Sequence, residues 1–307
     1  MKIKNLSLIL LLTIPFWSCS KDEQPTPDPQ PTPINLAKGS GTFNYDYEST
    51  SLNKTLGVYY YIPENITPTT PIVFVFHGTQ RNAGEYRDAM IAKADEFGFI
   101  AIVPEFSTQD FPGGDGYNLG NVFIDGDNPT EDSLNQEEEW AFSIIEPLFD
   151  YTKTQVNNTN STYDVFGHSA GGQFSHRFAM FKPNARFNKM VSSSSGWFTF
   201  PDASIRFPYG FDLSPLKSIS LSNLFSKQIY VQVGENDDDP NAASLRHNDY
   251  ADAQGLNRKE RAINFFQFSQ NLSQENNTSF NWNFEIVTGM DHDYIEAAEN
   301  AADILFK

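Results

Sequence analysis

Residues Gly167-His168-Ser169-Ala170-Gly171 form a Gly-x-Ser-x-Gly run. In this pattern a serine hydroxyl is held out from a sharp turn between a strand and a helix. A hydroxyl is a weak nucleophile until a base takes its proton and a carboxylate orients that base. Nucleophilic acyl transfer is therefore the chemistry to look for in the rest of the chain. Five histidines are available as the base: His77, His168, His176, His247 and His292. Carboxylates are abundant, 39 in all, so only position can narrow the acid. One dense group is Glu235-Asn236-Asp237-Asp238-Asp239, directly after the apolar run at 228–233.

The elements around Ser169 suit that turn. Tyr163-Asp164-Val165-Phe166 reads as a short strand ending at the pentapeptide. The following residues read as a helix over 171–181, with Phe174, Phe178 and Phe181 on one face and Pro183 as its stop. Further strands are expected at 57–63, 71–76, 99–103, 190–193, 228–233 and 283–287, and further helices at 137–152, 257–274 and 294–306. Pro147 should kink or break the first of these helices. Short apolar runs alternating with helical patterns predict an α/β fold: one domain with a mostly parallel central sheet and helices on both faces. Two long segments, 106–136 and 198–227, are rich in Gly, Pro, Asp and Phe and read as functional rims.

From Leu56 onward the chain resembles the α/β-hydrolase family, and within it secreted feruloyl esterases, acetylxylan esterases and polyhydroxyalkanoate depolymerase-like esterases. The resemblance rests on His77-Gly78, the 167–171 pentapeptide, Ser195-Gly196-Trp197, Gly234-Glu235-Asn236-Asp237 and Asp291-His292-Asp293. It implies that the acid and then the histidine follow the nucleophile in the chain. That order leaves His247 and His292, and His292 has the better context, after the strand at 280–287 and before the last helix. The resemblance places the acid at Asp237, with Asp239 and then Glu235 as alternatives. It places the oxyanion donors at the backbone N–H groups of Ala170 and of Thr79 or Gln80, Thr79 being preferred. Trp197 is the candidate stacking platform for a sugar or aromatic acyl group, with Glu105, Tyr117, Asn118 and Tyr209 as further rim candidates. A core role for Trp197 is weighed equally.

Composition bounds the partners. The chain has 307 residues and a net charge of −18, which disfavours nucleic acid and electrostatic adsorption to anionic lipid. Three neighbouring aspartates suggest calcium, yet Ala242 stands where an EF-hand turn needs glycine, so no metal and no organic cofactor is expected. A monomer is expected. Cys19 is the single cysteine, so no intrachain disulfide can form. Residues 1–18 read as an export signal: Lys2 and Lys4, then an apolar run too short to span a bilayer comfortably. Phe16-Trp17-Ser18-Cys19 resembles a bacterial lipoprotein box, departing from it at Phe16, which implies lipidation at Cys19. Residues 19–36, where proline alternates with polar residues, read as a semi-rigid tether to a catalytic domain at 37–307. The polar and acidic start after Cys19 resembles an outer-membrane, outward-facing export signal; a periplasm-facing location is the alternative.

These readings together predict a lipid-anchored serine esterase acting on acetylated or feruloylated polysaccharide. The alternatives are a polyester or short-chain ester hydrolase, a serine peptidase on the same fold, and a non-catalytic glycan-binding protein on a hydrolase scaffold.

Overall fold

The computed structural model describes residues 36–307. The export signal at 1–18, Cys19 and all but the last residue of the tether lie outside the described residues. Eight strands form one sheet in the order β1-β2-β4-β3-β5-β6-β7-β8. They are β1 (Gly39–Glu48), β2 (Asn53–Ile62), β3 (Ile72–Phe76), β4 (Ile100–Pro104), β5 (Tyr163–His168), β6 (Phe187–Ser193), β7 (Gln228–Gly234) and β8 (Asn283–Val287). β1 and β2 pair antiparallel, as do β2 and β4, and every other pairing is parallel.

Side-chain alternation explains why both faces are covered. Successive residues of a strand point to opposite faces. Phe74 and Phe76 of β3 and Ile100 and Ile102 of β4 join the core under the helices Ile145–Val156, Ala170–Phe181 and Arg258–Glu275. Val73 and Val75, with Ala101 and Val103, pack on the other side against the helices Ala83–Phe97 and Tyr294–Phe306. Both faces are buried, so the central strands are apolar throughout. The facing residues of the last helix are Ala297, Ala298, Ala301 and Ala302, which lets it lie close to the sheet.

Besides short helical segments, the structure adds a strand and a longer helix to the expected set and moves several boundaries. In β1 the aromatic residues Phe43, Tyr45 and Tyr47 are buried and alternate with exposed Asn44, Asp46 and Glu48. This is the half-solvated pattern of an antiparallel outer strand, without an apolar run. The helix Ala83–Phe97 buries only a narrow stripe, Ala83, Tyr86, Met90 and Ala94, and ends at Gly98 with φ 71°. The helix expected at 137–152 is broken before Pro147. Short 3-10 turns at Glu137–Glu139 and Ala141–Ile144 precede an α-helix over Ile145–Val156. Pro147 therefore falls in the first helical turn, where its missing N–H forfeits no helical bond. Among the described residues, no helix is long and apolar enough to cross a membrane.

The strand order places a reaction centre. β3 lies between β4 and β5, so the chain leaves β3 toward one side of the sheet and later returns to its other side. Crevices form at such switch points, outside the carboxyl ends of the strands. β3 ends there at Phe76, just before His77, and β5 ends there at His168, just before Ser169.

Candidate active site

The turn after β5 is strained by design. Ser169 has φ 57° and ψ −115°, a conformation costly for a residue with a β-carbon. Its N–H donates to the Ser193 carbonyl at 2.9 Å, and its own carbonyl accepts from the Gln173 N–H at 3.0 Å. Strand β6 and the following helix thus clamp the turn from both sides. Two glycines make the approach possible. A β-carbon at Gly171 would overlap the Phe76 carbonyl of β3, and one at Gly167 would overlap the Gly171 carbonyl and the Ser175 hydroxyl. The helix behind the turn is fixed by Phe174, whose ring lies 4.6 Å from Phe76 and 4.8 Å from Phe142. Burying such a ring contributes about 1.5–3 kcal/mol, enough to offset a strained residue.

Three chain-distant residues meet at this turn. Ser169 Oγ lies 3.1 Å from His292 Nε2, and His292 Nδ1 lies 2.8 Å from Asp237 Oδ2. An ionised carboxylate can only accept, so His292 Nδ1 carries the proton and Nε2 is left to accept from the serine. Asp237 is delivered by the turn after β7, where the Asn236 N–H donates to the Met290 carbonyl at 2.8 Å. The neighbouring β8 turn delivers His292, so two adjacent parallel strands set the acid and the base side by side. Burial by itself pushes the Asp237 carboxyl up. The His292 hydrogen bond and the charges of His292 and Arg258 outweigh it and hold the carboxyl below the usual aspartate range.

The other candidates for base and acid have different partners. Asp239 accepts from the Asn241 N–H, and Glu235 accepts from the Gly289 N–H. His247 sits between Asp252 and the Pro240 carbonyl. His77 accepts from the Phe106 N–H, and burial pushes its pKa down to about 3. His176 accepts from the Thr199 N–H, and His168 bonds the Tyr86 hydroxyl at 2.9 Å. Burial holds both rings well below the usual histidine range. Among the described residues, no group of three or more His, Cys, Asp or Glu side chains is placed to hold a metal ion.

Ser169 and His292 open onto a cleft of about 280 Å³, which Gly78, Thr79 and Gln80 also line. Thr79 therefore stands across the same space as the serine, and Ala170 follows directly as the first residue of the helix. First-turn N–H groups have no helical acceptor and so remain available to an oxyanion. Both Thr79 and Gln80 line the cleft, so lining alone does not choose between them.

The rim candidates are corrected. Trp197 is only 3% exposed. Its ring is packed between the guanidinium groups of Arg177, at 4.1 Å, and Arg246, at 4.8 Å, with Tyr209 alongside. It is core and offers no free face to a substrate. Tyr117 is fully buried beneath Arg81 and donates to the His77 carbonyl. Glu105 lies beside Gly57, and Asn118 donates to Gln173. Tyr209 borders a separate cleft of about 410 Å³ with Tyr250. None of these five lines the cleft around Ser169. Tyr86, Tyr294, Ala243 and Ser244 do so instead. No local pattern marked them, because the loop at 243–244 and the helix at 83–97 reach the cleft only through folding.

Arg258 is a further neighbour that local pattern did not single out. Its Nη1 donates to Asp237 Oδ1 at 3.2 Å. One signal was present: Arg258, Lys259 and Arg261 open the helix Arg258–Glu275, although the helix dipole disfavours cations at that end.

The chain matches no family model, and no curated protein is similar to it. Solved structures are similar. Poly(aspartic acid) hydrolase-1 from Sphingomonas sp. KT-1 is 34% identical with a TM-score of 0.82, over 89% of this chain and 100% of that one. The poly(3-hydroxybutyrate) depolymerase LpqC from Bordetella parapertussis is 27% identical with a TM-score of 0.81, over 88% and 90%. A ferulic acid esterase, 16% identical with a TM-score of 0.52 over 88% and 97%, shares the fold.

Proposed function

The chain belongs to the α/β-hydrolase family, and on that premise we propose that it hydrolyses carboxylic esters through an acyl-enzyme on Ser169. The observation that carries this reading is the Ser169–His292–Asp237 chain of 3.1 and 2.8 Å contacts on a strained turn. Ser169 Oγ gives its proton to His292 Nε2 as it attacks the ester carbonyl. The N–H groups of Ala170 and Thr79 hold the oxyanion. The carbonyl then re-forms, the bond to the alcohol breaks, and His292 returns the proton to the leaving oxygen. A water, deprotonated by His292, attacks the acyl carbon and releases the acid and the free serine. Asp237 stays ionised throughout and stabilises the imidazolium.

The substrate in this reading is an acetylated or feruloylated glycan, and the enzyme is held at the outer face of an outer membrane by lipid on Cys19. Support for the anchor comes from Lys2, Lys4, the apolar run and the residues before Cys19. A second reading is favoured by the names of the two most similar structures described above: hydrolysis of the backbone of a polymer, at ester or amide links. One panel tests both. Acetylated xylan, a feruloylated arabinoside, poly(3-hydroxybutyrate), poly(aspartic acid) and p-nitrophenyl butyrate are assayed with the chain lacking residues 1–18. The glycan reading expects acetate or ferulate release, and turnover of poly(3-hydroxybutyrate) or poly(aspartic acid) with neither release would overturn it. Radiolabelled fatty acid should attach to the full chain and not to its Cys19→Ala variant.

A further inference from the structure

We propose that Arg258 is a positioning residue for this reaction: it occupies the second oxygen of the catalytic carboxylate and ties the acid turn to the wall of the cleft. The inference rests on the esterase reading above. Asp237 Oδ2 accepts from His292 and Oδ1 accepts from Arg258, so each oxygen has one charged or chargeable partner. Asp237 and Arg258 are each 3% exposed. A pair this deep is weakly screened, and removing one partner strands the other charge. Arg258 Nη2 also reaches the Ala243 carbonyl at 3.4 Å, and Ala243 lines the cleft. The next residue completes the clamp. The Lys259 N–H donates to the Asp237 carbonyl at 3.1 Å, and its ammonium bonds the Glu235 carbonyl and the Asp238 carboxylate. The start of one helix therefore grips the whole acid turn.

The charge has a consequence for the base. Other groups also face the Asp237–His292 pair. The His168 ring lies 4.7 Å from His292, Asp291 accepts from the His292 N–H, and Asp293, Tyr294, Glu235 and Asp238 flank the two turns. Arg258 is the cation in direct contact with the carboxylate. It shares the charge of Asp237 and so limits how firmly a resting imidazolium is held. Without it, Asp237 Oδ1 loses its charged partner and the carboxylate is held less firmly against His292. One fewer cation then opposes a charge on the imidazole, and the base is aimed less well.

The test compares Arg258→Gln and Arg258→Lys with the parent chain, using p-nitrophenyl butyrate hydrolysis from pH 4 to 9 together with thermal melting. For Arg258→Gln we expect kcat to fall roughly 10- to 100-fold with KM changed by less than about threefold. The acid limb of its pH profile should move up by about half a unit to one unit. Arg258→Lys keeps the cation and should return the limb to the parent position. A folded Arg258→Gln protein with parental kcat and parental acid limb overturns the proposal. If Arg258→Gln does not fold, Arg258→Met replaces it with the same two readouts: a lowered kcat and a raised acid limb support the role, and parental values of both overturn it. Ser169→Ala in the same series keeps the two readings apart. Full activity in that variant sinks the esterase mechanism, whereas an inactive Ser169→Ala beside an unaltered Arg258→Gln sinks only the role of Arg258.

Discussion

Three guanidinium groups are buried in this domain, at Arg177, Arg258 and Arg261, and the partners of Arg258 and Arg177 differ. Arg258 meets a carboxylate, Asp237, which in turn meets His292. Arg177 donates instead to the Thr199 hydroxyl at 2.8 Å and to the Asn118 and Gln173 carbonyls, with its plane over Trp197. Burial holds Arg177 well below its usual range, and the nearby Arg246 adds to the effect. The first site gathers titratable groups in a chain that ends on an open serine. The second closes a loop region with neutral acceptors and aromatic faces. The same side chain is part of a reaction centre in one place and of a packing joint in the other, and the difference lies in what the guanidinium touches.

Four measurements test that contrast. Ser169→Ala should lower kcat for p-nitrophenyl butyrate by ~10⁴- to 10⁶-fold without changing the melting temperature appreciably; a variant that keeps most of its activity would remove the reaction centre from the comparison. Asp237→Asn should cost ~10²- to 10⁴-fold in kcat, since an amide no longer holds the imidazole in the required tautomer. Its effect on stability has a sign as well. The folded carboxyl is held low, so its contribution is present above the ordinary aspartate range and is lost as pH falls through the folded value. The melting difference between parent and Asp237→Asn should therefore shrink in acid.

Trp197→Ala tests the packing joint. Removing a buried indole held between two guanidinium groups should destabilise the fold by about 3–5 kcal/mol. Once folded, the variant should hydrolyse the small ester within about threefold of the parent. Strong loss of turnover at unchanged stability would return Trp197 to the substrate site. The smallest effect is spread over the buried histidines. His77, His168 and His176 are held neutral by burial, His77 with a pKa of about 3 against an ordinary value of 6.5. Their folded values lie below the unfolded ones, so stability is full above about pH 6.5 and falls as pH drops toward the folded values. Denaturant unfolding at pH 7, 6 and 5 reads this directly, and a flat response would show that these rings are not held neutral.

What could be read from the chain depends on how local its cause is. The turn around Ser169 was legible because strand, glycines and helix follow one another within 163–181. The central strands were legible because burial on both faces forces continuous apolar runs such as Ile72–Phe76. β1 was not, since its aromatic residues alternate with Asn44, Asp46 and Glu48. The helix Ala83–Phe97 was not, since it buries so few side chains. Trp197 stayed undecided between platform and core for a related reason: an aromatic after a strand looks the same in sequence whether its faces are free or covered by Arg177 and Arg246.

The order of residues alone was enough for the kind of nucleophile, the strand–helix frame around it and the short lists from which a base and an acid could come. Those choices follow from local sterics and from hydrophobic period. Which members of those lists meet is a matter of the folded sheet. Asp237 stands 55 residues before His292 in the chain, and Ser169 stands 123 residues before it. Contacts at such separations are set by the order of β5, β7 and β8 in the sheet, and local spacing carries no record of that order. The placing of Arg258 on the second oxygen of Asp237 was decided the same way. Its partner is chosen by where a helix docks, and the sequence showed only a cation at a helix end that disfavours one.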